Sequence, residues 1–249
     1  MVSWEAWHPP GVFGQGLTNQ PRYRLSRIAD GEFDGFIRAY ARAIRRFGGP
    51  TFIRLFHEMD GNWYPWGGTA NGNTPEDFVA AWRHVHRLFR AAGATNVTWV
   101  WSVNNYSVPA TPENSIHRYW PGSRYVDWIG ISGFNRGPLS PDGGWHSFDS
   151  VFASRFASLS RYRKPVVIAE IGTPERGGDK AAWITDAFGR ILSTYPSVRA
   201  VVWYDKRDSS AADWRIGSSA ASAAAFRDAI GDRRVLSAPR AVNAARRRR

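Results

Sequence analysis

Short apolar segments alternate with longer amphipathic ones along most of this sequence. The apolar segments carry bulky residues on both faces, as in "PTFIRLF", "NVTWVWSVN" and "KPVVIAEIG". A strand that is apolar on both faces must be covered on both faces, which is the situation of a parallel sheet between helices. The alternation therefore predicts an α/β fold, and six βα units are visible in it.

The amphipathic segments carry the end signals of helices. "TPEDFVAAWRHVHRLFRAAG" opens with Thr74 as a helix cap and Pro75 in the first turn, and it closes at Gly93. "DGEFDGFIRAYARAIRRFGG" has aromatic and aliphatic residues on one side, arginines on the other, and Gly48 at its end. Further strands are predicted at "MVSWEAW", "YVDWIGISGFN" and "VRAVVWYD", and further helices at "SFDSVFASRFASLSRYR", "DKAAWITDAFGRILSTYP" and "SAASAAAFRDAIGD".

The residues best suited to chemistry fall at the carboxyl ends of the predicted strands. In a closed (β/α) barrel this is the face on which active sites are built. A doubly wound sheet also uses strand ends, but it usually concentrates its ligand at one crevice, and no glycine-rich phosphate loop follows any strand here. A barrel is the better prediction. The strand-end residues are Trp7, His57, Glu58, Asn104, Phe134, Asn135, Glu170, Trp203 and Asp205.

Net charge is less informative than its size suggests. The 249 residues carry a formal charge of +12, but residues 233–249 hold seven arginines and no acidic residue, which leaves +5 for the rest. That tail predicts a disordered, solvated extension, with an anionic surface or polymer partner as the alternative. The domain organisation expected is a barrel over residues 1–232 and a basic tail over 233–249. We expect no nucleic-acid partner.

Composition excludes several other classes. The chain has no cysteine, so disulfides and thiolate metal sites are impossible. No apolar run reaches 18 residues, so no membrane span is expected, and "MVSWEAWHPP" lacks the basic start of a signal peptide. Thirteen tryptophans, many beside Gly, Asn or Pro, place large flat rings in loops.

Two glutamates at strand ends carry the sharpest functional hypothesis. Glu58 ends "FIRLFHE" and Glu170 ends "PVVIAE", and tryptophans follow the first of them. Paired carboxyls suit glycosidic bond cleavage, because one protonates the leaving oxygen while the other attacks or stabilises the anomeric carbon. Apolar rings beside Glu58 would favour its protonated form. The alternative is that each glutamate is an ordinary polar residue at a barrel rim.

Other catalytic chemistries find less support. "HEMDG" lacks the second histidine of a His-Glu-x-x-His zinc site, because Gly61 stands there. His84 and His86 lie two apart on a predicted helix and point to different sides, so they cannot share an ion. No Gly-x-Ser-x-Gly nucleophile elbow is present. We expect no metal and no cofactor.

Several long motifs resemble the family 26 glycoside hydrolases, whose best-known members are endo-β-1,4-mannanases. They are "RLFHEMDGNWYPWG", "TPEDFVAAWRHVHRLFRAAGATNVTWVWS", "YWPGSRYVDWIGISGFN" and "KPVVIAEIGTPE". The resemblance runs from "SWEAW" to "AVVWYD". It implies a (β/α)8 barrel and retaining, endo-acting hydrolysis of a β-linked polymer, mannan first, through a glycosyl-enzyme intermediate. A β-glucanase, a β-xylanase or a catalytically weak carbohydrate-binding relative are the alternatives.

The resemblance also assigns roles by motif. Glu58 in "HEMDGNW" is similar to the general acid/base, Glu170 in "IAEIG" to the nucleophile, and His57 to the neighbour that orients the site. Trp63 matches an aromatic wall and Trp203 a sugar-stacking platform. Substrate contacts are accordingly expected from Trp7, Trp63, Trp66, Asn104, Phe134 and Trp203.

The sequence departs from the family pattern in three respects. Phe134 stands where the family usually has a tyrosine whose hydroxyl contacts the nucleophile, which would weaken catalysis or mark a different substrate. Asp60 stands where asparagine is usual and adds a negative charge. "MVSWEAW" resembles the third barrel strand rather than the first, so we expect a (β/α)8 barrel that lacks its first two βα units in this chain. A signal peptide could have belonged to the missing segment, and we expect an extracellular protein of unknown oligomeric state.

Overall fold

The computed structural model describes residues 1–8 and 18–235, and within them it forms an α/β fold around a sheet of six parallel strands. The strands are β1 (Val2–Trp4), β2 (Thr51–Leu55), β3 (Val97–Asn104), β4 (Trp128–Phe134), β5 (Val166–Gly172) and β6 (Val198–Trp203). The α-helices are α1 (Leu25–Ala29), α2 (Asp34–Phe47), α3 (Pro75–Ala91), α4 (Phe148–Leu159), α5 (Lys180–Thr194) and α6 (Ala220–Ile230). This alternation confirms the predicted fold class.

The strands lie in the sheet in chain order, from β1 to β6. The first three pairings are parallel, with Val2 opposite Ile53, Thr51 opposite Val97, and Val100 opposite Trp128. A parallel sheet with sequential neighbours brings every strand's carboxyl end to one edge. The sheet therefore supports the expected barrel family, while the expectation that two further βα units are missing stays a prediction.

The predicted helix signals are confirmed where they were most specific. Thr74 caps α3 by accepting a hydrogen bond from the Asp77 N–H at 3.1 Å, and the Asp77 carboxylate accepts one from the Thr74 N–H at 2.8 Å. Gly48 ends α2 in the left-handed conformation, at φ 71°. The short helix α1 was not predicted.

Two compact units share the chain. Unit 1 comprises residues 1–132 and 157–169, and unit 2 comprises residues 133–156 and 170–249. The core of unit 1 is rich in aromatic rings, with Trp82 and Trp101 fully buried, and that of unit 2 is built on Phe148, Phe152 and Ile184. The boundary crosses β4 and β5, so the amino-terminal part of each of these strands belongs to unit 1 and the end of each to unit 2.

No helix among the described residues is long and apolar enough to cross a membrane. Within the same residues, no cluster of three or more histidine, aspartate or glutamate side chains could hold a metal ion. Most of the predicted basic tail, residues 236–249, lies outside the described residues, as do residues 9–17.

Candidate active site

Glu58 lies on a tight turn after β2, three residues beyond the strand's last residue. Phe56 and Glu58 both adopt the left-handed conformation, with φ values of 46° and 53°. A non-glycine residue rarely takes this conformation, because its Cβ crowds the backbone. Two hydrogen bonds hold the turn, from the Glu58 N–H to the Ser102 carbonyl at 2.8 Å and from the Gly61 N–H to the Glu58 carbonyl at 2.9 Å. Strain of this kind is typical of functional sites.

The Glu58 carboxylate is buried, with 8% of the residue exposed, and it meets two donors of different charge. The Trp63 indole N–H donates to its Oε2 at 2.8 Å, and the Arg54 guanidinium lies 3.7 Å from its Oε1. Burial favours the neutral acid, whereas the guanidinium and the indole N–H favour the carboxylate. Trp63, which was predicted to be an aromatic wall of the site, thus binds the Glu58 carboxyl directly through its indole N–H.

Arg54 anchors this site to four strands of unit 1. It is 1% exposed, and its guanidinium donates to the hydroxyls of Ser3 on β1 at 3.5 Å, Ser102 on β3 at 2.9 Å and Ser132 on β4 at 2.5 Å. A buried charge needs such partners, because desolvation costs several kcal/mol. Arg54 was not among the predicted site residues, although a lone arginine inside the apolar run "TFIRLF" was a signal that could have found it.

His57 is buried beside Glu58 but contacts a different set of groups. Its ring lies edge-on to Tyr64, with centroids 4.9 Å apart, and its Nε2 is 3.9 Å from the Glu5 carboxylate. Burial, helped by the Arg54 charge, holds the pKa of His57 well below its usual range, so the imidazole is neutral. Within the described residues its Nδ1 is buried without a hydrogen-bond partner.

Trp7, Tyr64 and Trp66 form an aromatic cluster around His57. Tyr64 stacks on Trp66 with centroids 4.4 Å apart, and the Trp7 ring meets both edge-on at 5.7 and 5.6 Å. Trp66 is completely buried and donates its N–H to the His57 carbonyl at 2.6 Å. Trp66 therefore supports the turn, and a completely buried ring cannot make the substrate contact that was predicted for it. Trp7 is half-buried at the outer side of the cluster.

Asp60 and Asn104 are bound to each other through the backbone. The Asn104 N–H donates to the Asp60 carboxylate at 2.9 Å, and the Ser107 hydroxyl donates to the same carboxylate at 3.0 Å. The Asn104 amide donates to the Tyr106 carbonyl at 2.9 Å. The charge that Asp60 adds is therefore engaged in ordering the loop after β3.

Glu170 and Phe134 belong to unit 2, where each lies near the end of its strand. Both are half-buried. The Phe134 ring packs against Trp214 at a centroid distance of 5.1 Å and meets Tyr204 edge-on at 5.6 Å, and the Arg136 guanidinium lies 5.4 Å from its centroid. Phe134, Tyr204 and Trp214 thus form an aromatic group at the strand ends of unit 2.

Trp203, which was predicted to be a sugar-stacking platform, is buried within unit 2. Only 9% of it is exposed, its indole N–H donates to the Trp214 carbonyl at 2.7 Å, and its ring meets Trp183 and Phe226 of the flanking helices. A ring in this position offers no face to a ligand. The next residue, Tyr204, projects toward Phe134 instead, and it was not among the predicted site residues.

Comparison with known proteins places these residues in a family context. A sequence model described as Glycosyl hydrolase family 26 matches residues 34–173, more than half of the chain, including Glu58 and Glu170. Endoglucanase H of Acetivibrio thermocellus is 38% identical over 93% of this chain, and this chain covers 24% of that protein. A mannan endo-1,4-beta-mannosidase of Bacillus subtilis is 25% identical over 76% of this chain, which covers 46% of it. The chain therefore spans a quarter to a half of the length of these two relatives.

Solved structures show the same fold. A GH26 beta-mannanase from Bacteroides ovatus, BoMan26A, matches with a TM-score of 0.65 and 20% identity, covering 88% of this chain and 64% of its own. A beta-mannanase from a symbiotic protist of the termite Reticulitermes speratus matches with a TM-score of 0.58 and 18% identity, covering 90% of this chain and 61% of its own.

Proposed function

Because this chain belongs to glycosyl hydrolase family 26, we propose that it cleaves internal β-1,4 bonds of a mannan-type polysaccharide with retention of configuration. The observation that carries the proposal is the buried Glu58 carboxyl, bound to Trp63 on a strained turn inside the matched region. A carboxyl fixed in this way is suited to protonating a leaving oxygen, because its direction is set before substrate binds.

In the proposed mechanism Glu58 is the acid/base and Glu170 the nucleophile. Glu58 protonates the glycosidic oxygen while the Glu170 carboxylate bonds to the anomeric carbon, and the ionised Glu58 then deprotonates the water that releases the sugar. We expect the two carboxyls roughly 5 to 6 Å apart, the separation that retention requires. Once Glu170 is esterified, Arg54 and Trp63 favour the Glu58 carboxylate that the second step needs.

Mannan is the first substrate proposed, and β-glucan is the second. The name of the relative that is 38% identical favours an endoglucanase, but this chain covers only 24% of that longer protein. The mannan endo-1,4-beta-mannosidase of Bacillus subtilis is less similar but is matched over 46% of its length. A β-1,3-xylanase of Vibrio sp., 33% identical over 44% of this chain, keeps xylan among the polymers to be tested.

Reducing-sugar release from mannan, mixed-linkage glucan and xylan would test the proposal directly. We expect mannan to be cleaved into oligosaccharides with an early fall in viscosity, as internal cleavage produces. Proton NMR of the first product would show the anomeric configuration of the substrate retained. An inverted product would contradict the mechanism, and preference for glucan would select the second substrate.

Two variants separate the roles of the glutamates. Glu170→Ala should abolish turnover and leave oligosaccharide binding measurable by calorimetry. Glu58→Ala should reduce polymer cleavage far more than cleavage of an aryl glycoside, because only the polymer's leaving group needs a proton. Equal losses on both substrates would contradict the acid assignment. If wild-type protein bound mannan without cleaving it, the carbohydrate-binding alternative would replace the enzyme.

A further inference from the structure

Phe134, Gly172 and Tyr204 lie side by side across the strand ends of unit 2. The Asn135 N–H donates to the Gly172 carbonyl at 3.1 Å and the Tyr204 N–H to the Ile171 carbonyl at 2.9 Å. In a parallel ladder these two bonds place both Phe134 and Tyr204 opposite Gly172. Gly172 leaves room for the rings that pack here, since an added Cβ would meet Phe134 at 3.3 Å and Trp214 at 3.4 Å.

Glu170 belongs to the same face of the sheet as this row. It precedes Gly172 by two residues, and side chains two apart on a strand point the same way. The phenol of Tyr204 is within electrostatic reach of it. The pKa of Tyr204 is raised by burial, then by Asp208, and also by the Glu170 carboxylate, with Lys206 acting in the opposite direction.

We propose that Tyr204 supplies to Glu170 the phenol hydroxyl that Phe134 lacks, and that it is a positioning residue of this site. The proposal rests on Glu170 being the nucleophile. The Phe134 and Tyr204 rings meet edge-on, with centroids 5.6 Å apart and planes at 89°. Phe134 therefore packs against Tyr204, whose hydroxyl takes the place of the one that Phe134 lacks.

The hydroxyl is available for this role. Its contact with Asp208 Oδ1 is 3.5 Å, at the outer limit of a hydrogen bond. Asp208 already binds Lys206 Nζ at 2.8 Å and the Trp214 indole N–H at 3.1 Å. A third and long donor adds little to that carboxylate. Lys206 also hydrogen-bonds to Tyr204, and because an ammonium only donates, the phenol accepts that bond and keeps its own proton for another acceptor. Arg136 also lies beside this group, with its guanidinium 5.4 Å from the Phe134 centroid.

The test compares Tyr204→Phe, Phe134→Tyr and the double variant on whichever polymer the wild type cleaves best, with Tyr195→Phe as control. Tyr195→Phe removes a phenol that donates to Asp149 beyond the end of α5, outside the strand-end group. We expect Tyr204→Phe to lower kcat about ten- to a hundredfold, the cost of one hydrogen bond to a charged group, with little change in KM. The acid limb of the pH–rate profile should move to higher pH, because a carboxylate that loses a donor is protonated more easily.

The double variant should recover most of the lost rate and the wild-type acid limb, whereas Phe134→Tyr alone should gain little because Tyr204 already holds the position. The control should leave kcat and the pH profile unchanged. If Tyr204→Phe kept the wild-type rate and acid limb while Glu170→Ala was inactive, this proposal would be overturned and the proposed function would stand. A wild type that cleaves none of the polymers, or an active Glu170→Ala variant, would overturn both.

Discussion

At the scale of single residues, one glycine decides how Glu58 is held. A Cβ on Gly61 would come within 2.3 Å of the Trp63 ring, so only glycine allows the indole to fold back onto the carboxyl. Gly61→Ala should displace Trp63 and remove its hydrogen bond to Glu58. We expect polymer cleavage to fall about tenfold, the effect of one lost hydrogen bond to a charged group.

The matched control for this prediction is Gly35→Ala in α2, where an added Cβ meets nothing within 4 Å. That variant should keep wild-type activity and gain up to about 1 kcal/mol of stability from helix propensity. The kcat and the urea midpoint of unfolding, measured for both variants, test this prediction. Equal kcat values for Gly61→Ala and Gly35→Ala would show that polymer cleavage does not depend on the position of Trp63.

His57 makes stability depend on pH. Its folded-state pKa lies well below the usual value because of burial and the Arg54 charge, whereas the unfolded chain binds a proton near pH 6.5. The unfolded state therefore binds more protons as the pH falls below that value, and the free energy of unfolding decreases by up to about 1.4 kcal/mol per pH unit. Stability from this group is complete above pH 6.5 and is lost in acid.

Urea unfolding at pH 7 and pH 5 should show this fall for the wild type and for His8→Gln, which changes an exposed histidine. His57→Gln should show a smaller fall, since glutamine does not titrate. A His57→Gln variant with the wild-type pH dependence would assign the effect to another group, of which His86, with its pKa also lowered by burial, is the first candidate.

At the scale of elements, Arg54 joins the strands of unit 1 below the turn that carries Glu58. Arg54→Lys keeps the charge but cannot bond three serine hydroxyls and face a carboxylate at once, because an ammonium lacks the planar fork of donors. We expect a loss of about 3 kcal/mol in the free energy of unfolding, as for a broken buried ion pair. Activity should fall together with stability, because Glu58 loses its neighbour.

Arg38→Lys provides the comparison for this prediction, since Arg38 pairs with Asp34 at 2.8 Å on the exposed face of α2. An exposed pair of this kind contributes about 0 to 1 kcal/mol. Equilibrium denaturation of both variants gives the two numbers. Similar small losses would mean that the Arg54 network contributes specificity and little stability.

The sequence predicted elements better than side-chain directions. Caps such as Thr74 and Gly48 act through local backbone geometry, so their positions can be read from the chain. β6 is different, because "VRAVVWYD" carries large apolar residues at successive positions and the alternation does not show which face Trp203 takes. Its burial against Trp183 and Phe226 depends on helices far along the chain. The turn from Phe56 to Glu58 could not be predicted either, because nothing in the sequence marks a phenylalanine or a glutamate that adopts the left-handed backbone conformation.

At the scale of the whole molecule, unit 1 exposes an aromatic face along β1 and α2. β1 is an edge strand of three residues, and Val2 is 37% exposed. On α2, Phe36 and Phe47 are 61% and 71% exposed, and Phe36 stacks on Trp4 at a centroid distance of 6.3 Å. The sequence predicted these two phenylalanines on the apolar side of a helix, where a covering element would be expected.

This face should make the 249-residue chain self-associate, because exposed apolar patches and unpaired strand edges both favour association. We expect light scattering to show an average mass that rises with concentration, and Phe36→Ser with Phe47→Ser to suppress the rise. Leu139→Ser, which changes an exposed leucine of unit 2, is the control and should not. Since exposed side chains contribute little to folding, the double variant should keep the wild-type free energy of unfolding within about 0.5 kcal/mol. A wild type that stays monomeric at all concentrations would contradict the expectation, and a double variant destabilised well beyond that margin would show that the two rings are packed within the chain itself.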